Sequence, residues 1–320
     1  MPVNLDKTNM WKADVALSVD MYNDWFMNFA PDAFRQTRVQ VTVNVEEALK
    51  VTCFLRDIEP AMLRRYPEIL PTLRMSTCPP IAVDRLIGLA GVSKNLVQSM
   101  EEKKRIPPRM SVIDADAQLL KIGAIIARMA DPDIFVWLTR KDSPTEVEMH
   151  RAATIVADRL CGAVANPIIR NAQEKRQLAA IKAWLEARGY TQIPDGSQIR
   201  FNKMSPGTFS FRMNVPITQD GATSSVNIPV DAVIMPLSRP AGQLPMFFEA
   251  KSAGDFTNTN KRRKEEAVKM TQLRSTYGEG VEFNLFLCGY FDSGYLGYEA
   301  AEGIDWVWEH RIDDFSKFGL

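Results

Sequence analysis

Two patterns of apolar and polar positions divide the chain. Over residues 11–29 an aromatic-rich, amphipathic spacing predicts a helix, and residues 49–66, 82–100 and 115–129 predict others. Pro79-Pro80 and Pro107-Pro108 separate these segments, because proline lacks a backbone N–H and cannot continue a helix beyond its first turn. No internal repeat or low-complexity tract is visible. The first half therefore reads as a mainly helical region, residues 1–165, with a boundary near Asn166-Pro167. Within it, residues 86–97 place Gly91-Val92-Ser93 between two apolar segments, the layout of two helices joined by a turn. Ile87 stands where a DNA-reading helix-turn-helix prefers Ala, so an ordinary helical hairpin is the favoured reading.

From residue 166 onward the spacing changes. Residues 171–188 are apolar at Leu178, Ile181, Trp184 and Leu185 and stop at Gly189, which predicts a helix. Residues 208–217, 226–234 and 245–251 read as strands, the last two as buried ones. A basic amphipathic helix over 260–277 and an apolar strand over 282–290 follow. The aromatic run 289–298 is expected to be a strand and turn at the sheet edge; its likeness to GIY-YIG enzymes fails because it follows the other strands and lacks their order. The order helix, strand, strand, strand, helix, strand makes residues 166–320 an α/β unit.

The chemistry sits at two strand ends. Pro229-Val230-Asp231 closes one apolar run and Phe248-Glu249-Ala250-Lys251 the next, about eighteen positions later. Residues two apart on a strand share a face, so Glu249 and Lys251 point the same way while Ala250 packs behind them. Two carboxylates and an amine suit hydrolysis of a phosphodiester, which is anionic and repels hydroxide unless a divalent cation offsets the charge and acidifies a water. Mg²⁺ takes one or two carboxylates and keeps several waters. Asp231 and Glu249 are the candidate ligands, with the Ala250 carbonyl within reach, and Lys251 orients or deprotonates the water or offsets charge on phosphorus. The competing reading makes Asp231 and Glu249 salt-bridged strand-end residues.

Charge narrows where nucleic acid can bind. The 320 residues carry 39 basic and 39 acidic side chains, so any such site must be a local patch. Lys261-Arg262-Arg263-Lys264 is one, following a polar loop with Asp255, Thr257, Asn258 and Asn260. Its amides and hydroxyls suit base edges and its cations suit phosphates; the alternative is a solvated helix face. His150 and His310, the two histidines, lack metal-ligand spacing and are expected at the surface or at caps, which excludes HNH, zinc-hydrolase and histidine phosphoesterase sites. Cys53, Cys78, Cys161 and Cys288 form no CxxC pair and read as reduced core thiols. With no apolar leader and no stretch expected to span a bilayer, a cytoplasmic location follows.

Asp231 with Glu249-Ala250-Lys251 resembles the PD-(D/E)xK nuclease signature, and the flanking order resembles that superfamily's core. Together with Asn9-Met10-Trp11-Lys12, Asn171-Ala172-Gln173-Glu174-Lys175-Arg176-Gln177 and the continuation from Ser252 to Lys264, the chain resembles type II restriction endonucleases of the XamI family. That resemblance implies a PD-(D/E)xK restriction-endonuclease-like core, a mixed sheet flanked by helices, with the helical region serving DNA contact or dimerisation. It implies Mg²⁺-dependent cleavage of double-stranded DNA at a short palindrome, leaving 5′-phosphate ends, by a homodimer whose two-fold axis matches the two half-sites. A separate DNA methyltransferase is the implied functional partner. Glu174 resembles the additional acidic residue that many relatives present from the preceding helix, which implies a catalytic role as a metal or water ligand; an acid in a first turn is also favoured by the helix dipole alone. A structure-selective or repair nuclease on the same core is one rival, and a non-catalytic DNA-binding regulator with a decayed core is another. Intact Asp231, Glu249 and Lys251 argue against decay.

Overall fold

The computed structural model describes residues 2–194, 197–218, 225–240, 242–257 and 259–320. The chain divides into two compact units, Ala30–Ile168 and a discontinuous one joining Met1–Phe29 to Ile169–Leu320. Two long helices contribute to both, α1 (Thr8–Val51) and α7 (Glu146–Glu186), and the units divide beside the proline that each carries, Pro31 and Pro167. Each proline removes one internal helix hydrogen bond at that point.

The Ala30–Ile168 unit is helical, with α2 (Pro60–Arg65), α3 (Leu70–Met75), α4 (Val83–Ala90), α5 (Lys94–Lys103) and α6 (Val112–Met129) between the two long helices. Its core gathers Val45 and Leu49 of α1, Leu86, Leu96, Leu119, Ile122, Trp137 and Val156. Residues 49–66 are not the single helix expected: Cys53, Phe54 and Leu55 have left-handed φ of 45°, 61° and 67°. The reversal is held by the Phe54 N–H on Leu49 O (2.6 Å) and the Leu55 N–H on the Thr52 hydroxyl (3.1 Å). Residues 82–100 are the helical hairpin α4–α5, turned by Gly91 at φ 59°. Cys161 and Cys288 are buried as expected, but Cys53 and Cys78 are exposed, on a turn and after a helix end where side chains face outward. By length and composition α7 also contains a window apolar enough to cross a membrane, mean hydropathy 1.3, contrary to expectation. Ala152, Ala153, Val156 and Ala157 of that helix lie in the core just described, while Val164 and Ile168 are exposed.

The second unit is built on a mixed sheet in spatial order β1 (Thr191–Gln192), β2 (Thr208–Thr218), β3 (Ser225–Met235), β4 (Met246–Ala253), β5 (Phe283–Gly289) and β6 (Asp305–Trp308). β2, β3 and β4 are antiparallel neighbours, while β1–β2, β4–β5 and β5–β6 are parallel. The crossover from β4 to β5 is α8 (Thr259–Tyr277) and that from β5 to β6 is α9 (Ser293–Ala301). All seven residues of β5 are buried, as a parallel strand covered on both faces requires. On one face α7 supplies Leu178, Ile181 and Leu185 against Phe209, Ile234, Phe248 and Phe286. On the other, Met270 and Leu273 of α8 and Leu296 of α9 meet Val233, Phe247, Leu285 and Trp306.

α9 replaces the strand and turn expected over 289–298. Gly294 and Gly297 read as turn residues, but Asp292 accepts the Tyr295 N–H at 2.7 Å and caps a helix there. Immediately before it, Gly289 ends β5 at φ 101°, where an added Cβ would lie 2.1 Å from Ala253 O. Gly289→Ala is therefore expected to lower unfolding free energy by about 2–4 kcal/mol, from left-handed strain plus overpacking. Urea denaturation measures it, and a loss under about 0.5 kcal/mol would show that the β4–β5 ends can shift freely.

Candidate active site

The β3–β4 ladder runs through Ile234↔Met246, Val233↔Phe247 and Ala232↔Phe248 and stops one residue short of the Asp231–Glu249 position. There the strands part, and a side chain takes over from the backbone: the Asp231 carboxylate accepts the Ala250 N–H at 2.9 Å. A buried N–H must find a partner, so this bond both terminates the ladder and fixes the carboxylate. From the α7 face, the buried Gln177 amide donates to the carbonyls of Lys251 (3.3 Å) and Phe286 (3.4 Å), pinning β4 to β5 just behind the site.

Asp231 is also where the β2–β3 ribbon exchanges its faces. Phe209 and Phe211 pack on the α7 side, but Met213, Val215 and Ile217, next in the same alternation, pack on the α8 side. Arg212 lies between them at φ 52°, and the ladder skips from Phe211↔Ala232 to Met213↔Val230, omitting Arg212 and Asp231. A left-handed conformation costs a non-glycine residue about 1–2 kcal/mol. Its effect is to send the guanidinium to α7, where Nε and Nη2 donate to Glu174 Oε1 at 2.9 and 2.7 Å. Arg212 thus neutralises Glu174 instead of its cross-strand neighbour Asp231.

Glu249 points to the α8 side and is 3 % exposed. Lys251 Nζ lies 3.2 Å from its Oε2, and Lys269 Nζ binds its Oε1 and, at 3.0 Å, the carbonyl of Pro229. Glu266 stands 3.7 Å from Lys251 Nζ and accepts the Tyr295 hydroxyl at 2.6 Å. Glu299 faces the same buried cluster; burial first, then the Glu266 charge, push it up to about 9, so it is neutral at physiological pH. Lys269 and Glu266 were not foreseen as site residues. Their signal was in the α8 spacing, since Glu266, Met270, Leu273 and Tyr277 recur every three or four positions and so share the inward stripe.

Burial, then the Glu249 charge, raise Asp231 from the ordinary 3.8 to about 7, against the opposing pull of Lys251 and the Ala250 N–H, with Glu174 adding slightly. Desolvation pulls Lys251 down, but Glu249, Glu266 and Asp231 together outweigh it and hold the ammonium above its usual range. Asp231, Glu249 and Lys251 are thus brought together. Glu174 sits within the field of Asp231 but on its own arginine. Among the described residues no three His, Cys, Asp or Glu side chains gather as a metal cluster. What the site offers a hard cation is two carboxylates and the Ala250 carbonyl, a donor set that fits Mg²⁺ and its preference for retained waters.

The loop after β4 is a turn built from its own side chains. Asp255 accepts the Thr257 N–H at 2.8 Å and the Thr257 hydroxyl, and Phe256 packs edge-on against Tyr290. Arg263 stacks on Tyr298, 3.6 Å from the ring centre, and Lys264 is exposed. Asn258 lies outside the described residues, as do the side chains of Asn260, Lys261 and Arg262. His150 is exposed beside Glu46, whereas His310 is mostly buried with Nε2 3.5 Å from Asp14.

The model of the XamI restriction endonuclease family matches residues 53–308. Over 317 residues, 99 % of each chain, the sequence is 52 % identical to the type II restriction enzyme SalI of Streptomyces albus G. Among solved structures, protein VC1899 from Vibrio cholerae aligns with 86 % of this chain and 55 % of its own, at 10 % identity and a TM-score of 0.28, a likeness too low to bear on the fold.

The raised Asp231 pKa makes stability pH-dependent. Between 3.8 and about 7 the folded site retains a proton that the unfolded chain has released, so this group's contribution falls as pH rises through that window and is flat above it. The loss is at most about 4 kcal/mol. In EDTA, Asp231→Asn is expected to be the more stable form at pH 8 while differing little from the parent at pH 4. Parallel denaturation midpoints for the two proteins across this range would contradict the buried, raised carboxyl.

Proposed function

The chain belongs to the XamI restriction endonuclease family, and we propose that it cleaves double-stranded DNA at a short palindrome with a PD-(D/E)xK site made of Asp231, Glu249 and Lys251. The observation that supports this reading is the parting of β3 and β4 at Asp231 and Glu249, with Lys251 Nζ 3.2 Å from Glu249 Oε2. Asp231, Glu249 and the Ala250 carbonyl would hold Mg²⁺. When bound, the ion offsets phosphate charge and acidifies a water. Water attacks phosphorus as the bond to O3′ breaks, leaving a 3′-hydroxyl and a 5′-phosphate. Lys251, held as an ammonium by three carboxylates, orients the attacking water and stabilises charge on the phosphoryl oxygens, a role its raised pKa favours over that of a base. Lys269 and Lys251 grip opposite oxygens of Glu249 and fix its plane.

Glu174, set on Arg212, acts on Asp231 through its field. The loop from Asp255 to Asn260 reads bases, and Lys261, Arg262, Arg263 and Lys264 contact phosphates. A palindrome calls for a homodimer, and a cognate methyltransferase protects the host sequence. The Ala30–Ile168 unit serves DNA contact or dimerisation. Digestion of a sequenced plasmid with Mg²⁺, followed by run-off sequencing of the ends, tests the whole reading: discrete cuts at one sequence on both strands support it, and random degradation returns the chain to the repair or structure-selective class.

Asp231→Ala, Glu249→Ala and Lys251→Ala are each expected to abolish detectable cleavage while leaving a folded protein that binds DNA. Because groups acting as a unit are non-additive, any double variant should be little worse than a single one. Robust cleavage by Glu249→Ala in Mg²⁺ would falsify the assignment.

Base reading by the loop predicts a different signature. Asn260→Ala is expected to slow cognate cleavage by roughly ten- to a hundredfold, the loss of one base contact of about 1–3 kcal/mol, and near-cognate cleavage much less. Rates on oligonucleotides with single-base changes measure it, and equal losses on all substrates would restrict the loop to backbone positioning.

A further inference from the structure

Between α7, β2 and residues 192–194 and 197–200 lies an open groove of about 810 Å³ whose charge the chain as a whole does not share. Lys175, Lys182, Arg200 and Arg212 line it, with no acidic side chain among the described lining residues, although the formal net charge of the protein is zero. Two of these cations are committed within the fold. Arg212 holds Glu174, and Lys182 holds the Gln192 amide oxygen at 2.7 Å and lies 3.5 Å from Glu186. Lys175 and Arg200 are exposed and have no ion-pair partner among the described residues. Gln198 and Asn214 add uncharged donors to the same wall.

The groove lies on the α7 side of the sheet, whereas Glu249 faces α8, and it comes nearest to the candidate active site at Arg212. Arg212 forms part of its lining and occupies the β2 position opposite Asp231, the one pairing that the ladder skips between Phe211↔Ala232 and Met213↔Val230. From there the lining extends along α7 from Lys175 to Lys182, seven residues on the same helix face, about 10 Å. Such a cleft suits a linear polyanion better than a small anionic ligand. Its cations are spread along a wall, half are already paired, and no enclosed pocket brings them to one point. Duplex DNA presents a negative charge about every 1.7 Å along its axis.

We propose that the α7–β2 groove is a track for the sugar–phosphate backbone of duplex DNA on one flank of the cleaved bond, with Lys175 and Arg200 as its phosphate contacts. The proposal rests on the reading of Asp231, Glu249 and Lys251 as the cleavage site and extends the bound surface away from it, on the helix face opposite α8.

The test uses the full-length protein, a Lys175→Gln/Arg200→Gln double variant, and two labelled duplexes sharing the cleavage sequence. One is trimmed to that sequence and the other extended by one helical turn on each side. Affinities measured in EDTA over a range of salt should show the slope of log affinity against log salt reduced by about 1.8 for the variant on the long duplex, two phosphate contacts at about 0.9 each, and unchanged on the short one. Arg200→Lys, which keeps the charge, should retain the parent slope. Single-turnover cleavage of saturated long duplex in Mg²⁺ should stay within about twofold of the parent. An unchanged slope on the long duplex overturns the proposal, and equal flattening on both lengths overturns the flank placement by moving the contacts to the cleavage sequence. Failure of the unsubstituted protein to cut at all would instead sink the active-site reading, which the binding slopes do not depend on.

Discussion

The separation of two adjacent strands is the constraint from which the candidate site derives. β3 and β4 remain paired for as long as both carry apolar residues, through Ala232↔Phe248, and separate where each next presents a carboxylate. Two carboxylates directly across a ladder repel, and a ladder broken inside a protein leaves backbone groups without partners. The Asp231 carboxylate meets both conditions at once by accepting the Ala250 N–H. The gap in the sheet is therefore closed by a side chain of the candidate site.

Around that gap the protein buries more charge than folding alone would favour. Glu249 lies between two ammonium groups, and Glu266 and Glu299 lie deeper, one bonded by Tyr295 and the other held neutral by burial. Buried ion pairs seldom add net stability over well-packed apolar side chains. The strained backbone of Arg212 belongs to the same account, since it turns the guanidinium to Glu174 and leaves Asp231 without a cross-strand arginine.

Much of this was legible in the sequence, and what was not has identifiable physical reasons. β3, β4, β5 and α8 fall within a residue or two of the expected bounds, because the strands are short apolar runs and α8 is framed by a polar loop before it and Gly278 after it. The grouping of Glu249 with Lys251 on one face could be read because alternation along a strand fixes which side chains share a face. α9 was hidden by glycines at positions 294 and 297, whose turn preference a single capping Asp292 overrides. The break after α1 was hidden because no propensity scale anticipates three successive left-handed residues at Cys53, Phe54 and Leu55. Lys269 and Glu266 were passed over because charge on a basic helix is ordinarily solvated, and only the apolar register of Met270 and Leu273 turns them inward. That Met1–Phe29 would join the second unit left no sequence signal, because the partners lie at the other end of the chain.

Those partners set a timetable for biosynthesis. The Val3 N–H reaches the Asp305 carboxylate, 302 residues further on, and the Asn4 side chain donates to Trp306 O at 2.8 Å. A ribosome adding about 5–20 residues per second takes roughly 15–60 s to join those ends. Only late in that interval does the nascent polypeptide contain Asp231, Glu249 and Lys251, and it then still lacks β6 and the docked N-terminal segment that complete the sheet's packing. The Ala30–Ile168 unit, whose residues are contiguous, emerges whole long before. Completion of the sheet is thereby tied to the last stretch of translation.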